Sequence, residues 1–237
     1  MSLFDAKQDQ LYTNPLEFVD RIRVLEIPQV RVSSASIASI IDDSGRYGLV
    51  INKNSAEKGE RVLTPIGGGI ERTTHGFREL QRLLGVSPAS FENGKDLRFI
   101  MRGADSNIYR KWFLSRIQRE VDPLREIVEE LVDETSTLVR RDLSGLRYSL
   151  AGYHTELAKT SRAGQEGQTT LRLLEVFDVT LQPDGMSKLQ RVSERQTGLV
   201  RFVTKQEIIN RSTIDGIDIG SVALSLLNPQ PTIHEFI

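Results

Sequence analysis

A segment near the middle of the chain, Leu124–Asp133, has two chemically opposite faces when it is placed on a helix. Asp122-Pro123 comes directly before it and is typical of a helix start, with an Asx cap followed by proline at the first helical position. A helix with an apolar stripe must pack against a core, so the fold needs another layer to receive it. The stripe consists of Leu124, Ile127, Val128 and Leu131, and the acidic face consists of Glu126, Glu129, Glu130 and Asp133.

The acidic face carries a high density of like charge. Carboxylates three and four residues apart on a helix repel one another, at a cost on the order of 0.2–0.5 kcal/mol for each pair. A face without interleaved lysines is a reasonable place for a hard divalent cation, because such cations prefer oxygen ligands. A solvated acidic surface is the more frequent explanation, so the segment alone leaves both alternatives open.

Length, composition and charge indicate the domain size, the kinds of ligand and the cellular compartment to expect for this chain. Its 237 residues suffice for one large domain with its own core. The absence of cysteine excludes disulfides and thiolate metal sites and fits a reducing compartment. The net charge of -1 argues against binding of long nucleic acids. Because we find no apolar signal region and no apolar run of membrane-helix length, we expect a cytoplasmic protein without membrane contact.

Hydrophobic patterning predicts strands and helices without strict alternation of the two. This mixture favours an α+β fold, specifically an α/β/α sandwich whose mixed sheet is flanked by helices. Thr204 and Glu207 form a capping-box pattern, which marks the start of one helix. The predicted strands are 30–41, 47–52, 61–66, 97–101, 138–153, 171–181 and 198–203, and the predicted helices are 74–84, 106–117, 122–133, 205–210 and 219–227.

The predicted strand at 61–66 runs into three consecutive glycines, Gly67, Gly68 and Gly69, which we interpret as a turn. Glycines at such a place allow the backbone to approach a phosphate or a metal closely. A plain tight turn explains them about as well. The segment is not a P-loop, because no Gly-Lys-Ser/Thr follows.

The acidic helix and the glycines together resemble the Nudix box, in which a glycine and a glutamate precede Arg-Glu-apolar-x-Glu-Glu-x-Gly-apolar. Arg125–Leu131 matches the second half of this motif, whereas Val132 stands where the family has glycine. The glycines lie further upstream than in the family pattern. The upstream glutamate of the motif would fall at Ile117, so its role is vacant or is taken by Glu120.

Further stretches of the sequence support the resemblance to the Nudix family and indicate a subfamily. Arg201–Ile209, followed by Asp215-Gly216, looks like the usual end of a Nudix domain. Asp96–Phe99 and Trp112-Phe113 are similar to a divergent bacterial subfamily associated with second-messenger nucleotidyltransferases of antiphage defence. The domains implied are an N-terminal helical extension at 1–28, a Nudix-like domain at 29–228 with an insertion at about 72–120, and a C-terminal tail at 229–237.

The resemblance implies a metal-dependent hydrolase in which water cleaves a pyrophosphate bond of a nucleoside diphosphate-linked substrate. Mg²⁺ or Mn²⁺ would be the cofactor, and a carboxylate would orient or deprotonate the water. Arg125 would hold the carboxylates in place. The implied catalytic residues are Glu126, Glu129 and Glu130, and the implied metal ligands are Glu126, Glu130, Glu129, Glu120 and a carbonyl of Gly67 or Gly68.

A second function stays open, namely a non-catalytic nucleotide-sensing module of a bacterial antiphage defence system. The vacant glutamate position, Val132 and the insertion favour it. Under either function the partner is a nucleotide, as substrate or as signal, with an expected functional link to a nucleotidyltransferase. Dimers are frequent among Nudix proteins, so a homodimer is one expected assembly.

Other polar residues are weaker candidates. The three histidines, His75, His154 and His234, have no metal-type spacing and are interpreted as structural or exposed. Arg140-Arg141 is interpreted as solvated surface, with a phosphate contact as the alternative. Glu175 lies on a predicted strand, where a solvent-facing position is more frequent than service as an extra base.

Overall fold

The computed structural model describes residues 25–230 except 58, 93, 161–164 and 196–197. Most of the helical extension predicted at 1–28 therefore lies outside the described residues. The strands are β1 Val30–Ile40, β2 Tyr47–Ile51, β3 Val62–Gly69, β4 Arg98–Met101, β5 Arg147–Lys159, β6 Thr169–Thr180, β7 Val200–Val203 and β8 Asp218–Ile219. The α-helices are α1 Lys53–Ala56, α2 Thr74–Leu84, α3 Ser106–Ser115, α4 Leu124–Val128, α5 Pro183–Ser193 and α6 Lys205–Asn210.

The strands form a mixed eight-stranded sheet. Its order is β5-β6-β1-β3-β2-β7, with β4 paired to β1 and β8 paired to β3. The β3–β8 pairing is parallel, whereas the β1–β3, β2–β3 and β2–β7 pairings are antiparallel. This mixed sheet with its helices confirms the α+β class predicted from the hydrophobic pattern.

Contacts between Cα atoms divide the chain into two compact units. The first unit combines the chain up to Ser34 with Glu71–Glu120 and Thr155–Leu173. The second unit combines Ala35–Ile70, Val121–His154 and the chain from Leu174 onward. Each unit has its own buried residues.

The second unit has the three layers predicted for a sandwich. Neighbouring residues on a strand point to opposite faces of a sheet, and two apolar clusters follow that alternation. Ala38 and Val50 belong to the cluster that contains Ile127 of α4 and Leu189 of α5. The strand neighbours of these two residues, Ile37 and Leu49, belong to a second cluster that contains Ile208 of α6. We call the sheet side that packs against α4 the helix-α4 face.

The first unit is held by β4, α2, α3 and a run of aromatic contacts. β4 pairs with the beginning of β1, where Val32 lies opposite Phe99. Phe99 contacts Tyr109 of α3 edge to face, with 5.2 Å between ring centroids, and the Tyr109 and Ser34 hydroxyls are 2.7 Å apart. Trp112 is also buried in this unit. The aromatic residues of α3 therefore form part of the core of the first unit.

Several predicted elements are wrong in extent or type. Residues 140–143 form a 3₁₀ helix, and the strand predicted from 138 begins only at Arg147, since the turn at Gly145 with φ 73° separates the two. The final helix predicted from 219 is the short β8 followed by a 3₁₀ helix at Ser221–Leu226. Helix α1, whose N-terminal cap is the Asn52 side chain, is not among the predicted helices. None of the described helices is both long and apolar enough to cross a membrane.

Candidate metal and nucleotide site

The three glycines do not form the predicted turn, because they are the last residues of β3. Gly67, Gly68 and Gly69 pair with Ile37, Ser36 and Ala35 of β1. Gly67 has φ 145°, and a Cβ there would lie only 2.8 Å from the Ile37 Cα. This position therefore requires glycine for close approach between two strands and not for a change of chain direction.

Gly68 lies directly beneath the side chain of Glu126 on α4. A Cβ on Gly68 would overlap the Glu126 carboxylate and would lie 2.7 Å from its Cδ. Glu126 is only 5% exposed, so its carboxylate occupies the space that a larger residue at position 68 would fill. The end of β3 and the start of α4 thus form one local arrangement of glycine and carboxylate.

Helix α4 begins at Leu124, whose N–H donates to the Asp122 side chain at 3.0 Å. Ile127 and Leu131 are fully buried in the core cluster, as the predicted apolar stripe requires. Leu124 belongs to the same predicted stripe but is 40% exposed. Only the central part of the stripe therefore anchors the helix.

The helix changes type after Val128 and continues as a π-helix over Glu129–Glu134. The Thr135 N–H donates to the Glu130 carbonyl at 3.1 Å, which is a five-residue step. Sequence periodicity assumed an α-helix throughout and predicted Asp133 next to the other carboxylates. Asp133 instead pairs with Arg140 at 3.5 Å, and both side chains are more than half exposed.

Arg125 connects the glycine strand to the carboxylates. Its Nη2 lies 2.6 Å from Glu126 Oε1, its Nη1 lies 3.0 Å from Glu129 Oε1, and its Nη2 donates to the Gly69 carbonyl at 2.5 Å. A planar guanidinium can make these contacts at once. Arg125 therefore holds two carboxylates against the end of β3.

The most perturbed acid of this group is Glu130. Burial raises the pKa of its carboxyl to about 8, and repulsion from Glu134, Glu126 and Glu129 adds to the effect. Lys53 opposes the shift. Lys53 pairs with Glu134 at 3.3 Å, but both of these side chains are substantially exposed. A positive charge nearby would therefore favour the ionised form of Glu130.

This donor set fits a divalent cation in chemistry. Its oxygens come from carboxylates, and the acids around Glu130 outnumber the cations that pair with them, Arg125 and Lys53. Within the described ranges, no three acidic, histidine or cysteine side chains are gathered closely enough to hold an ion in the present rotamers. Closer approach of these carboxylates without a cation would increase their repulsion.

The other predicted residues lie in different environments. Glu120 belongs to the first unit, where its carboxylate accepts a hydrogen bond from the Glu71 N–H at 3.2 Å. Its contribution to the metal site of the second unit stays a prediction. Ile117, at the usual position of the upstream glutamate, is 60% exposed in the first unit. His234 lies outside the described residues.

Glu175 is the polar residue that sequence reasoning placed wrongly. It lies on β6 with no exposed surface, although a strand carboxylate was expected to face solvent. The apolar residues around it, Leu173, Leu174, Val176 and Phe177, are a signal in the sequence that this strand is buried on both faces. A carboxylate buried in such a run needs a partner within the fold, and Glu175 has one.

A mixed sheet lies between two layers of helices, and Arg125-Glu126 of α4 is held against the glycines that end β3. This arrangement defines a Nudix-type domain. Residues 29–226 match the model of the family described as SMODS-associated NUDIX domain, and the chain belongs to this family. The match also confirms the resemblance to the subfamily associated with second-messenger nucleotidyltransferases. Comparison with curated proteins finds no match, and comparison with solved structures finds none either.

Proposed function

We propose that the chain is a metal-dependent hydrolase that cleaves the pyrophosphate bond of a nucleoside diphosphate-linked substrate. The observation that carries the proposal is the Glu126 carboxylate, buried over Gly68 and held by Arg125 next to Glu130. A hydrolase needs such a pre-positioned set of acids, because ligand geometry must be in place before substrate arrives.

Mg²⁺ or Mn²⁺ would be held by Glu126 and Glu130, with Glu129 as a further ligand or as base, and would polarise the phosphoryl group. The chain's own residues supply the remaining steps. Arg125 keeps Glu126 and Glu129 in fixed orientations through its ion pairs. Glu129 is partly exposed, so it can reach a water molecule and accept its proton during attack on phosphorus.

The test is a substrate panel with purified protein and Mg²⁺ or Mn²⁺, covering ADP-ribose, dinucleoside polyphosphates and nucleoside triphosphates. We expect cleavage that requires the metal and that Glu130→Gln lowers by about 100-fold or more, the range for loss of one acid–base or electrostatic group. Glu194→Gln, at the exposed end of α5, is the matched control and should retain full activity. Silence across the panel with both metals contradicts the proposal.

A second candidate is a nucleotide-sensing module without turnover. It is favoured by two departures from the Nudix box, the exposed Ile117 at the glutamate position and Val132, which packs against the core cluster where the family has glycine. Calorimetry should then show nucleotide binding with no product formed. The family description supports a functional link to a second-messenger nucleotidyltransferase under both candidates. A homodimer and a cytoplasmic location stay predictions from the sequence.

A further inference from the structure

Lys53 is the first residue of α1, which follows β2, and its side chain lies beside the acidic helix. Its backbone is fixed there, because the Asn52 side chain caps α1 by accepting a hydrogen bond from the Ser55 N–H at 3.1 Å. The Lys53 side chain, in contrast, is 63% exposed. Lys53 therefore combines a fixed backbone position with a long side chain that can change its rotamer.

The carboxylates of the acidic helix extend from the core to solvent, and Lys53 contacts the solvent end. Glu126 lies over Gly68 on the helix-α4 face and is 5% exposed, whereas the Glu134 side chain is 38% exposed. The Lys53 Nζ lies 3.3 Å from Glu134 Oε1. Of the carboxylates around Glu130, Glu134 repels it most, and Lys53 is the cation that opposes this repulsion. The ammonium therefore belongs to the same electrostatic group as the proposed metal ligands.

The fold holds the two cations of this group with different strength. Arg125 pairs with two carboxylates and donates to the Gly69 carbonyl, and its side chain is 29% exposed. Lys53 pairs with Glu134 in a contact that is open to solvent, and such ion pairs contribute little to stability. Arg125 is thus fixed by its contacts, whereas Lys53 can leave Glu134 at little cost.

A divalent cation at Glu126 and Glu130 would change the charge that Lys53 meets. Its positive charge would neutralise the acids around Glu130 and repel the ammonium. A phosphate held by the same cation would bring negative charge back to this position, and an ammonium on a flexible stem binds phosphate as a point charge. The cation and the ammonium compete for the acids, but both stabilise a bound phosphate.

We propose that Lys53 is a phosphate-binding residue, and that its ammonium exchanges Glu134 for a phosphate oxygen of the substrate when the divalent cation is bound. This inference rests on the proposed metal-dependent hydrolysis and deepens it, because it names a side chain that recognises the diphosphate. Loss of the Lys53 charge should therefore affect binding of the cation and binding of the anion in opposite directions.

Mn²⁺ alone and methylenediphosphonate, a diphosphate analogue that water does not cleave, are the two probes, and titration calorimetry measures both. We expect Lys53→Met to bind Mn²⁺ at least as tightly as the wild type, because a nearby positive charge has been removed. In excess Mn²⁺, the same variant should bind methylenediphosphonate about tenfold more weakly, as is typical when a hydrogen bond to a charged group is lost.

Two further variants are the controls. Lys53→Arg keeps the positive charge and should restore most of the affinity for methylenediphosphonate. Lys205→Met removes an exposed lysine at the start of α6, in the same unit, and should bind both probes as the wild type does. This second control shows whether the change in net charge alone affects binding.

The two probes separate failure of this inference from failure of the proposed function. If wild-type protein binds no Mn²⁺, the proposed metal site fails and this inference fails with it. If the wild type binds Mn²⁺ but not methylenediphosphonate, or if Lys53→Met binds the diphosphonate as tightly as the wild type, the inference is overturned while the proposed metal site stands. Weaker Mn²⁺ binding by Lys53→Met would show that Lys53 supports the metal ligands, and this result also overturns the inference.

Discussion

At the scale of single residues, ionisation of the Glu130 carboxyl makes the stability of the folded protein depend on pH. Its pKa in the folded protein is about 8, above the ordinary value of 4.5, because of burial and neighbouring carboxylates. The stability it contributes is complete below pH 4.5 and is lost as the pH rises through 8. The loss is on the order of a few kcal/mol, since one pKa unit corresponds to about 1.4 kcal/mol.

Glu130→Gln should therefore stabilise the metal-free protein at high pH. In EDTA, we expect the melting temperatures of variant and wild type to agree near pH 4.5, and the variant to melt higher at pH 8.5, because the amide never ionises. Differential scanning calorimetry across this range is the measurement. Glu194→Gln, on an exposed site, should follow the wild-type curve throughout. A variant that melts lower than wild type at pH 8.5 contradicts the assigned direction of the pKa shift.

Substitution of Gly68 tests the contact between β3 and the Glu126 carboxylate. Gly68→Ala places a Cβ where the Glu126 carboxylate lies, so either the side chain or the strand must move. We expect destabilisation of about 1–3 kcal/mol, which is typical of overpacking, together with weaker Mn²⁺ binding. Urea unfolding and calorimetry measure the two effects.

Gly48→Ala is the control for that substitution, because a Cβ at Gly48 of β2 meets its nearest neighbour at an ordinary 3.4 Å. Equal destabilisation by the two alanines would show that loss of strand glycine, and not the Glu126 contact, is responsible. Retention of full Mn²⁺ affinity in Gly68→Ala would show that Glu126 tolerates displacement.

At the scale of elements, the acidic helix illustrates what residue spacing predicts and what it misses. An i, i+3, i+4 pattern identified the buried positions Ile127 and Leu131 because burial in that region follows α-helical geometry. The change to a π-helix at Glu129 is a matter of backbone hydrogen bonding, which residue type does not specify. For this reason spacing predicted Asp133 on the acidic face, whereas Glu134 is the carboxylate that acts most strongly on Glu130.

The same helix provides a stability prediction. Ile127 and Leu124 belong to one predicted stripe, but Ile127 is fully buried and Leu124 is 40% exposed. We expect Ile127→Ala to lower the free energy of unfolding by about 2–5 kcal/mol, the usual cost of a core cavity. Leu124→Ala should lower it by less than about 1 kcal/mol, as for a mostly surface substitution. Urea denaturation measures both, and equal effects would contradict the anchoring role assigned to Ile127.

At the scale of the whole molecule, local signals predicted the fold class and left the site incomplete. The capping box at Thr204 and Glu207 marked α6 correctly, because its hydrogen bonds lie between neighbours in the sequence. Three consecutive glycines predict a turn, but these glycines end β3 because Gly67 approaches Ile37 and Gly68 approaches Glu126, both distant in the chain.

Metal binding should couple the second unit to pH through Glu130. A cation that binds its carboxylate must displace the proton held there with a pKa of about 8. The apparent Mn²⁺ affinity should therefore rise about tenfold per pH unit below 8 and level off above it, giving roughly a hundredfold difference between pH 6 and pH 9.

Calorimetric titration with Mn²⁺ at several pH values measures this coupling, and the melting temperature at fixed Mn²⁺ should increase along the same curve because ligand binding stabilises the folded state. EDTA should abolish the increase. Glu130→Gln has no proton to displace, so its weaker affinity should lose most of the pH dependence between pH 6 and pH 9. A slope that persists in this variant would assign the displaced proton to a different group and would remove Glu130 from the set of metal ligands.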